Sequence, residues 1–392
     1  IHEEGIPYIS DSSDFLALHR AFDAWEAIPS SEVDFEYDGP TTQEKAVAND
    51  GINLITFMDE SYFTTNEVLG LAAKTLMMND ASVTAEIVDA DIVFNPYFVQ
   101  SGEGFSTDTH TGQYDLQSIA THEIGHTFGM IHSGVLESTM FFSVLENTAD
   151  KRTLEEDDIA WASYRYPKNP AFGTTYGFIK GNITYGDDPL LPVVGGALVI
   201  ARNTSTGDEI HSYSDENGNY VIPVPAGTYT VAIEPLDGNV HGYYLTQANI
   251  SYYIDGITIY TDFPNEFYNG GEEGPLDDNP DESVPVTVIV ADTTHNIDLV
   301  TNKDVTPPYI MAVSPKRDSV GASVMTQVFM GFSEQVDINT FTDETCFLTW
   351  DDDGVEVEVY GNFVIADNYG RRIGFTPKEY PLEYSTEYTL HM

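Results

Sequence analysis

Asp115-Leu116-Gln117-Ser118-Ile119-Ala120-Thr121-His122-Glu123-Ile124-Gly125-His126-Thr127-Phe128-Gly129-Met130-Ile131-His132-Ser133, followed shortly by Ser138-Thr139-Met140, is the stretch from which the rest of this chain is read. His122 and His126 are four residues apart, so on a helix they leave one face, one turn apart. That is the separation two imidazoles need to grip one metal ion. Glu123 sits beside them without being needed as a ligand, and its carboxylate can reach a water in the metal's open position. Gly129 can leave the helix in the left-handed conformation, where a side chain is costly. The turn it permits can swing His132 back as a third ligand. Asp115 is placed to cap the helix.

Two histidines at helical spacing are weak evidence. The five fixed positions of His-Glu-x-x-His-x-x-Gly-x-x-His are strong evidence. Two blander readings compete: an amphipathic helix whose histidines face solvent or fill a core, and a metal site that is purely structural. Against the second, three neutral ligands leave the fourth position of a zinc ion open, which is the catalytic pattern.

The segment resembles the zinc site of the metzincin endopeptidases and, more narrowly, of the matrixins, the matrix-metalloprotease-like branch. Ser133 directly after the third histidine matches the matrixin habit, and Met140 in Ser138-Thr139-Met140-Phe141 sits where the family's Met-turn would be. Leu154-Glu155-Glu156-Asp157-Asp158-Ile159 with Tyr164 resembles the start of the last catalytic-domain helix. Ala21-Phe22-Asp23-Ala24-Trp25 and Ala90-Asp91-Ile92-Val93-Phe94-Asn95 resemble the first helix and a sheet strand, so the likeness covers most of residues 1–167. There are departures. Val93 stands where animal matrixins place a structural-zinc histidine, and Leu69-Gly70-Leu71-Ala72 also lacks one, so no structural zinc is expected. Phe142 stands where some metzincins carry a tyrosine. No cysteine-switch propeptide is seen, and the chain is read as beginning after it.

The resemblance implies one catalytic zinc on His122, His126 and His132, with Glu123 as the base that activates a water. It makes Met140 an apolar floor and gives Phe141, Phe142, Val144, Leu71 and Ala72 as lining of the substrate cleft. Phe141 to Leu145 would line the pocket for the residue just after the scissile bond; core packing is the alternative reading of the same stretch.

Composition sets outer bounds. A chain of 392 residues should hold two or three domains. No apolar run approaches a transmembrane helix, and no signal peptide is visible. Cys346 is the single cysteine, so no intrachain disulfide can form and the redox compartment stays undecided. Acidic residues number 64 against 15 basic, a formal charge of −49. Such a surface repels nucleic acid and anionic membranes, can collect calcium, and stays soluble in strong salt. General solubility and a marine or halophilic source both account for it, and the second is preferred.

In chain order, Gly5 to Ile9 is read as the remainder of a strand. Ser12 or Ser13 would cap a helix through Phe15, Leu18, Ala21, Phe22 and Trp25 that ends at Pro29. Val33 to Tyr37 and Gly51 to Phe57 read as strands, Leu69 to Met78 as the edge strand that pairs with substrate, and Glu86 to Phe94 as the next strand. Asp108 and His110 lie in a polar loop, where solvation is preferred over a metal role. Leu154 to Tyr166 is the closing helix, with Pro167 and Pro170 marking a linker.

From Gly177 short β-rich runs alternate with turn residues. Phe178–Ile183, Gly196–Ala201, Asn219–Ile222 and Gly227–Ala232 read as strands, with a turn at Asp215-Glu216-Asn217-Gly218. Gly181-Asn182-Ile183, Asp215 to Tyr220 and Pro225 to Val231 resemble the carboxypeptidase regulatory-like (transthyretin-like) β-sandwich, a likeness that implies a fold and no chemistry. Gly270 to Glu282 reads as a solvated acidic loop, with calcium binding as the lesser reading. After the stiff linker Thr306-Pro307-Pro308, Val313-Ser314-Pro315, Phe332 to Asp337, Phe375-Thr376-Pro377 and Tyr388-Thr389-Leu390 resemble a bacterial Ig-like domain. That domain is read as a truncated piece or a processed product. Asp351-Asp352-Asp353-Gly354 reads as a hairpin turn ahead of a cation site.

The expected architecture is therefore multidomain. An α+β metzincin catalytic domain over residues 1–169, with a twisted mixed sheet and about three helices, precedes two all-β sandwiches over 170–303 and 304–392. The expected function is a secreted or cell-surface, bacterial, zinc-dependent endopeptidase acting on proteins or peptides. Nucleic acid and membrane insertion are excluded, and matrix or cell-surface contact is assigned to the β-domains. The rival expectation is an adhesive or matrix-binding surface protein whose protease domain is vestigial.

Overall fold

The computed structural model describes residues 1–392 except 64–67, 79–84, 102–103, 109–111, 187–189, 191–192, 239–244, 251–256, 271–282, 304–307, 334–335, 353, 367–370 and 379–380. His110, the acidic loop beyond Gly270, Thr306 and Pro307 of the linker, Glu334, Gln335 and Asp353 therefore lie outside the described residues. The chain packs as two compact units, one of Ile1–Glu234 with Ala248–Lys303, the other of Pro235–Gln247 with Asp304–Met392.

The first unit begins with helix α1 (Ser13–Glu26), whose Ala17, Leu18, Ala21 and Trp25 are buried, as the apolar spacing requires. Ser12 does not cap it: its φ is 61° and its side chain makes no capping bond. Nor do residues 5–9 form a strand. Gly5 takes a φ of 57°, and the Ile6 N–H is captured at 2.8 Å by the buried Asp14 carboxylate, which folds the segment onto the helix instead of onto a sheet.

The sheet is mixed. Strand β1 (Ile55–Thr56) runs parallel to β3 (Ala85–Phe94), and β2 (Gly70–Met78) runs antiparallel to β3 at the sheet's edge. Two expected strands are corrected. Val33 to Tyr37 pairs with no strand; the Phe35 N–H goes to Glu26 Oε1 at 2.8 Å while Val33 and Phe35 pack against the core. Gly51 to Phe57 shrinks to two residues because side chains intercept its amides. Ile52 N–H donates to Asp50 and Leu54 N–H to Asp91, at 2.9 and 2.8 Å. Alternation of apolar residues records only which faces are buried, and these amides found other acceptors.

Helix α2 (Pro96–Gln100), the short parallel pair β4 (Phe105–Ser106) and β5 (Tyr114–Asp115), and helix α3 (Leu116–Thr127) follow. Asp115 is the N-cap of α3, accepting the Ser118 N–H at 2.8 Å, and the Arg152 guanidinium grips the same carboxylate. We expect Asp115→Ala to cost about 2 kcal/mol, since it removes a cap and takes the carboxylate from the partly exposed Arg152 guanidinium, which keeps its bond to Thr107 O. Urea unfolding followed by circular dichroism checks this, and a midpoint equal to the parent's would refute it.

Helices α1 and α3 enclose a core of Trp25, Phe57, Phe94, Phe105, Leu116 and Ile124 against the sheet. Helix α4 (Glu156–Arg165) starts at a capping box between Glu155 and Asp158. The short α5 (Ala171–Thr175) leads into the β-rich part of the unit.

That part has strands β6 (Tyr176–Tyr185), β7 (Leu198–Asn203), β8 (Glu209–Tyr213), β9 (Asn219–Pro225) and β10 (Gly227–Glu234). After helix α6 (Gln247–Ile250) come β11 (Glu266–Phe267), β12 (Val286–Val288), β13 (Thr293–Thr294) and β14 (Leu299–Thr301). One sheet runs β11-β10-β7-β8 with β12 on β10; the other runs β13-β6-β14 with β9 on β6. Ile179, Ile183, Val199, Ile222, Val231 and Ile233 form their shared core, and Ala160 of α4 belongs to it as well. Strand β8, unforeseen in the sequence, packs against α4 together with β9. At the expected turn, Asp215 accepts the Asn217 and Asn219 N–H groups, each at 2.8 Å.

The second unit carries β15 (Ile310–Ser314), β16 (Val328–Phe332), β17 (Phe347–Asp352), β18 (Val355–Val359), β19 (Gly361–Ile365), β20 (Arg372–Pro377) and β21 (Thr389–His391). They form sheets β15-β16-β20-β19 and β18-β17-β21. The β17–β18 hairpin is tied by the Gly354 N–H on Asp351 Oδ1 at 2.7 Å. Cys346 is 1% exposed in the core with Phe332, Leu348, Ile373 and Phe375, and burial pushes its thiol up to about 11. A catalytic-type α+β region with few helices and a mixed sheet, followed by β-rich regions, is the architecture expected from the sequence.

Candidate metal centre

Helix α3 delivers His122, Glu123 and His126, and its end is built by Gly129 at a φ of 100°. The Gly129 N–H bonds to His126 O at 3.1 Å and the Met130 N–H to Gly125 O at 3.0 Å, closing the helix as the left-handed residue allows. The chain then returns past His132. Ser133 pairs with Phe141, its N–H donating to Met140 O at 2.8 Å, which sets the third histidine over the Met-turn.

The ligand-capable atoms of His122, His126 and His132 lie within 4.8 Å of one another. Each ring has its Nδ1 on a backbone carbonyl: Thr139 O for His122 at 2.8 Å, Met130 O for His126 at 2.9 Å, Asn249 O for His132 at 2.8 Å. A carbonyl only accepts, so Nδ1 is the protonated nitrogen in all three and Nε2 carries the lone pair. The Nε2 atoms of His122 and His126 stand 3.1 Å apart, lone pair to lone pair. A cation between them resolves that repulsion, and a tetrahedral zinc would hold its nitrogens ~3.3 Å apart. The donor set fits zinc.

Burial pushes His122 down to about 3, with the neighbouring His132 adding to it, and His132 down to about 4. Burial, then His122 and His132, hold His126 well below the usual imidazole range. All three are therefore neutral at physiological pH, the state in which imidazole binds a metal.

Glu123 is 6% exposed. Burial pushes its carboxyl up to about 8, against the opposing pull of the Ala72 backbone and the Lys74 ammonium. It lies under the edge strand: a Cβ on Gly70 would come within 3.1 Å of Glu123 Oε1. Met140 is 1% exposed beneath the helix, and its sulfur is 2.4 Å from where a Cβ on Gly125 would stand.

Of the cleft residues named from the sequence, Leu71 and Ala72 lie on β2, with Leu71 exposed. Phe142 is half-buried, its ring 6.5 Å from His132 and 4.8 Å from Phe141, which is buried. Val144 packs against the core. Asp158 underpins the Met-turn, accepting from Ser138 Oγ at 2.5 Å, Thr139 N–H at 2.8 Å and Met140 N–H at 3.0 Å. The structure adds residues that the sequence did not single out: Lys74 beside Glu123, and Asn249, Tyr213 and His211 beside the His132 loop. They lie far from the motif in the chain, and no local spacing marks them.

Comparison with known proteins agrees with this geometry. Residues 9–166 match the matrixin family and residues 304–392 match the bacterial Ig-like domain. Metalloendoproteinase 2-MMP of Arabidopsis thaliana is 42% identical over 81 residues, covering 20% of this chain and 21% of that protein. Metalloendoproteinase 4-MMP of the same plant is 25% identical over 167 residues, covering 42% of this chain and 44% of that protein. The chain thus spans less than half the length of either relative. Among solved structures, the major pilin subunit BcpA of Bacillus cereus aligns at 14% identity over 55% of this chain and 57% of that one, with a TM-score of 0.16, too low to carry an argument.

Proposed function

We propose that this protein, whose residues 9–166 form a matrixin domain and whose residues 304–392 form a bacterial Ig-like domain, is a zinc-dependent endopeptidase that hydrolyses peptide bonds in proteins. The observation that carries the reading is the convergence of three imidazoles, each with its Nδ1 tied to a carbonyl. His122, His126 and His132 would hold the ion. Zinc so held supplies Lewis acidity, which acidifies a water and stabilises charge developing on the scissile carbonyl. Glu123, fixed between the helix and β2, takes the proton of the attacking water and hands it to the leaving amine. The outer edge of β2 offers its backbone to an extended substrate. Leu71, Ala72, Phe142 and Val144 are proposed to contact it, with Phe141 behind Phe142.

An Ig-like module supports a secreted or surface setting. Calcium as a counter-ion and a marine or halophilic source belong to the same proposal, and rest on the formal charge of −49 alone.

Treatment with 1,10-phenanthroline is expected to abolish cleavage of casein or gelatin, and stoichiometric zinc to restore it. Metal analysis of the untreated protein should find zinc. A protein that carries little zinc and leaves both substrates intact would instead be the adhesive protein with a vestigial site.

A further inference from the structure

His132 is held differently from its two partners. The carbonyls that orient His122 and His126 come from the same helix-and-turn region, but the one that orients His132 is Asn249 O, 117 residues away in the β-rich part of the unit. The other end of the residue is held there too: Tyr213 Oη donates to His132 O at 3.1 Å. The next two residues continue the contact. Ser133 Oγ donates to Asp157 Oδ2 at 2.7 Å, and Asp157 Oδ1 accepts both the backbone N–H and the Nδ1 of His211, each at 2.8 Å. Ser133, Asp157 and His211 are 0%, 1% and 4% exposed. Trp161 Nε1 donates to His211 O at 2.8 Å, fixing the strand that supplies these groups. Gly134 lies so close to β7 that a Cβ there would meet Leu198 Cδ1 at 2.3 Å.

We propose that the β-sandwich of residues 176–234 and 248–301 is a positioning element of the metal centre, holding the loop that carries His132 through Asn249, Tyr213 and the His211–Asp157–Ser133 hydrogen bonds. This rests on the reading of the three histidines as zinc ligands. The physical logic is that of any outer-shell partner: a carbonyl on Nδ1 fixes both the tautomer and the ring plane, so that Nε2 meets the ion. Ring and carbonyl are held from one sandwich, so His132 moves with that sandwich. If the interface served only adhesion between two folded parts, disturbing it would lower stability and leave metal affinity alone.

The test uses the full chain and reads zinc affinity by chelator competition, together with the visible spectrum of the cobalt-substituted protein. Tyr213→Phe removes one hydroxyl isosterically. His211→Leu removes the Nδ1 donor, and His211→Asn can restore a donor near the same place. Tyr229→Phe is the control: its hydroxyl bonds to Pro225 O at 2.8 Å within the sandwich.

Tyr213→Phe with His211→Leu should weaken zinc binding ~10-fold and alter the cobalt bands. Tyr213→Phe alone should show a smaller change of the same kind, and decides the matter if His211→Leu does not fold. His211→Asn and Tyr229→Phe should stay near the parent. Parent-like affinity and spectrum in Tyr213→Phe and in the double variant would overturn the proposal, as would an equal loss in Tyr229→Phe. The ligand reading fails separately, and takes this proposal with it, if the parent takes up no zinc or if His126→Ala binds it as the parent does.

Discussion

Glu123→Gln should retain zinc at the parent level and lose about three orders of magnitude in kcat, the range expected when a positioned acid–base group is removed. Glutamine matches glutamate in size, so the packing under Gly70 survives. What goes is the ability to accept the proton of water and return it to the amine. Because Glu123 is not among the converging ligand atoms, zinc content should be unchanged, and that separates loss of the base from loss of the metal. Turnover of a quenched fluorescent peptide, measured beside metal content, checks this. Parent-like turnover would place the base elsewhere, and a loss of zinc would mean that the carboxylate serves the metal directly.

Gly125→Val should be strongly destabilising although it touches neither substrate nor metal. Gly125 lies between the two helical histidines, and a Cβ there would stand 2.4 Å from Met140 Sδ and 2.8 Å from Trp25 Cζ2. A thioether can swing away when there is room, but Met140 is 1% exposed. Trp25 is pinned by its Nε1 bond to Thr121 O at 2.8 Å. Valine's better helix propensity returns a few tenths of a kcal/mol, well short of an overpacking cost of about 3 kcal/mol. A fall in Tm of roughly 6–12 °C follows for a region of this size, with weakened zinc retention. Thermal unfolding by circular dichroism measures it; a Tm within about 2 °C of the parent would show that the floor under the histidines yields more easily than its packing implies.

The parts of the site that were legible in the sequence are those whose partners are near in the chain. His122, Glu123, His126 and Gly129 lie within two helical turns of one another, so spacing alone set out which of them share a helix face and where the helix ends. The outer shell is different. Asn249, Tyr213 and His211 reach the His132 loop across 117, 81 and 78 residues. Asn249 acts there through its main chain, which any residue carries.

The misread strands have a similar cause. Val33 to Glu36 alternates between half-buried and exposed residues, but a strand also needs a neighbour, and Glu26 took the Phe35 amide first. In residues 51–54, Asp50 and Asp91 did the same. Ser12 fails as a cap because its backbone is left-handed, with a φ of 61°, where an N-cap residue needs extended angles. In a chain with 64 acidic residues, carboxylates compete for backbone donors often enough to blur strand signals.

Cys346 has one further consequence. A thiolate, not a thiol, reacts with labelling reagents, and this sulfur is both enclosed and hard to ionise while the second unit stays folded. With no second sulfhydryl in the chain to confuse the signal, the rate at which a maleimide or Ellman's reagent attaches reports how often that unit opens, with no engineered tag. The protein thus carries a native clock for the breathing of its Ig-like part, readable while the candidate metal centre is studied in the same tube.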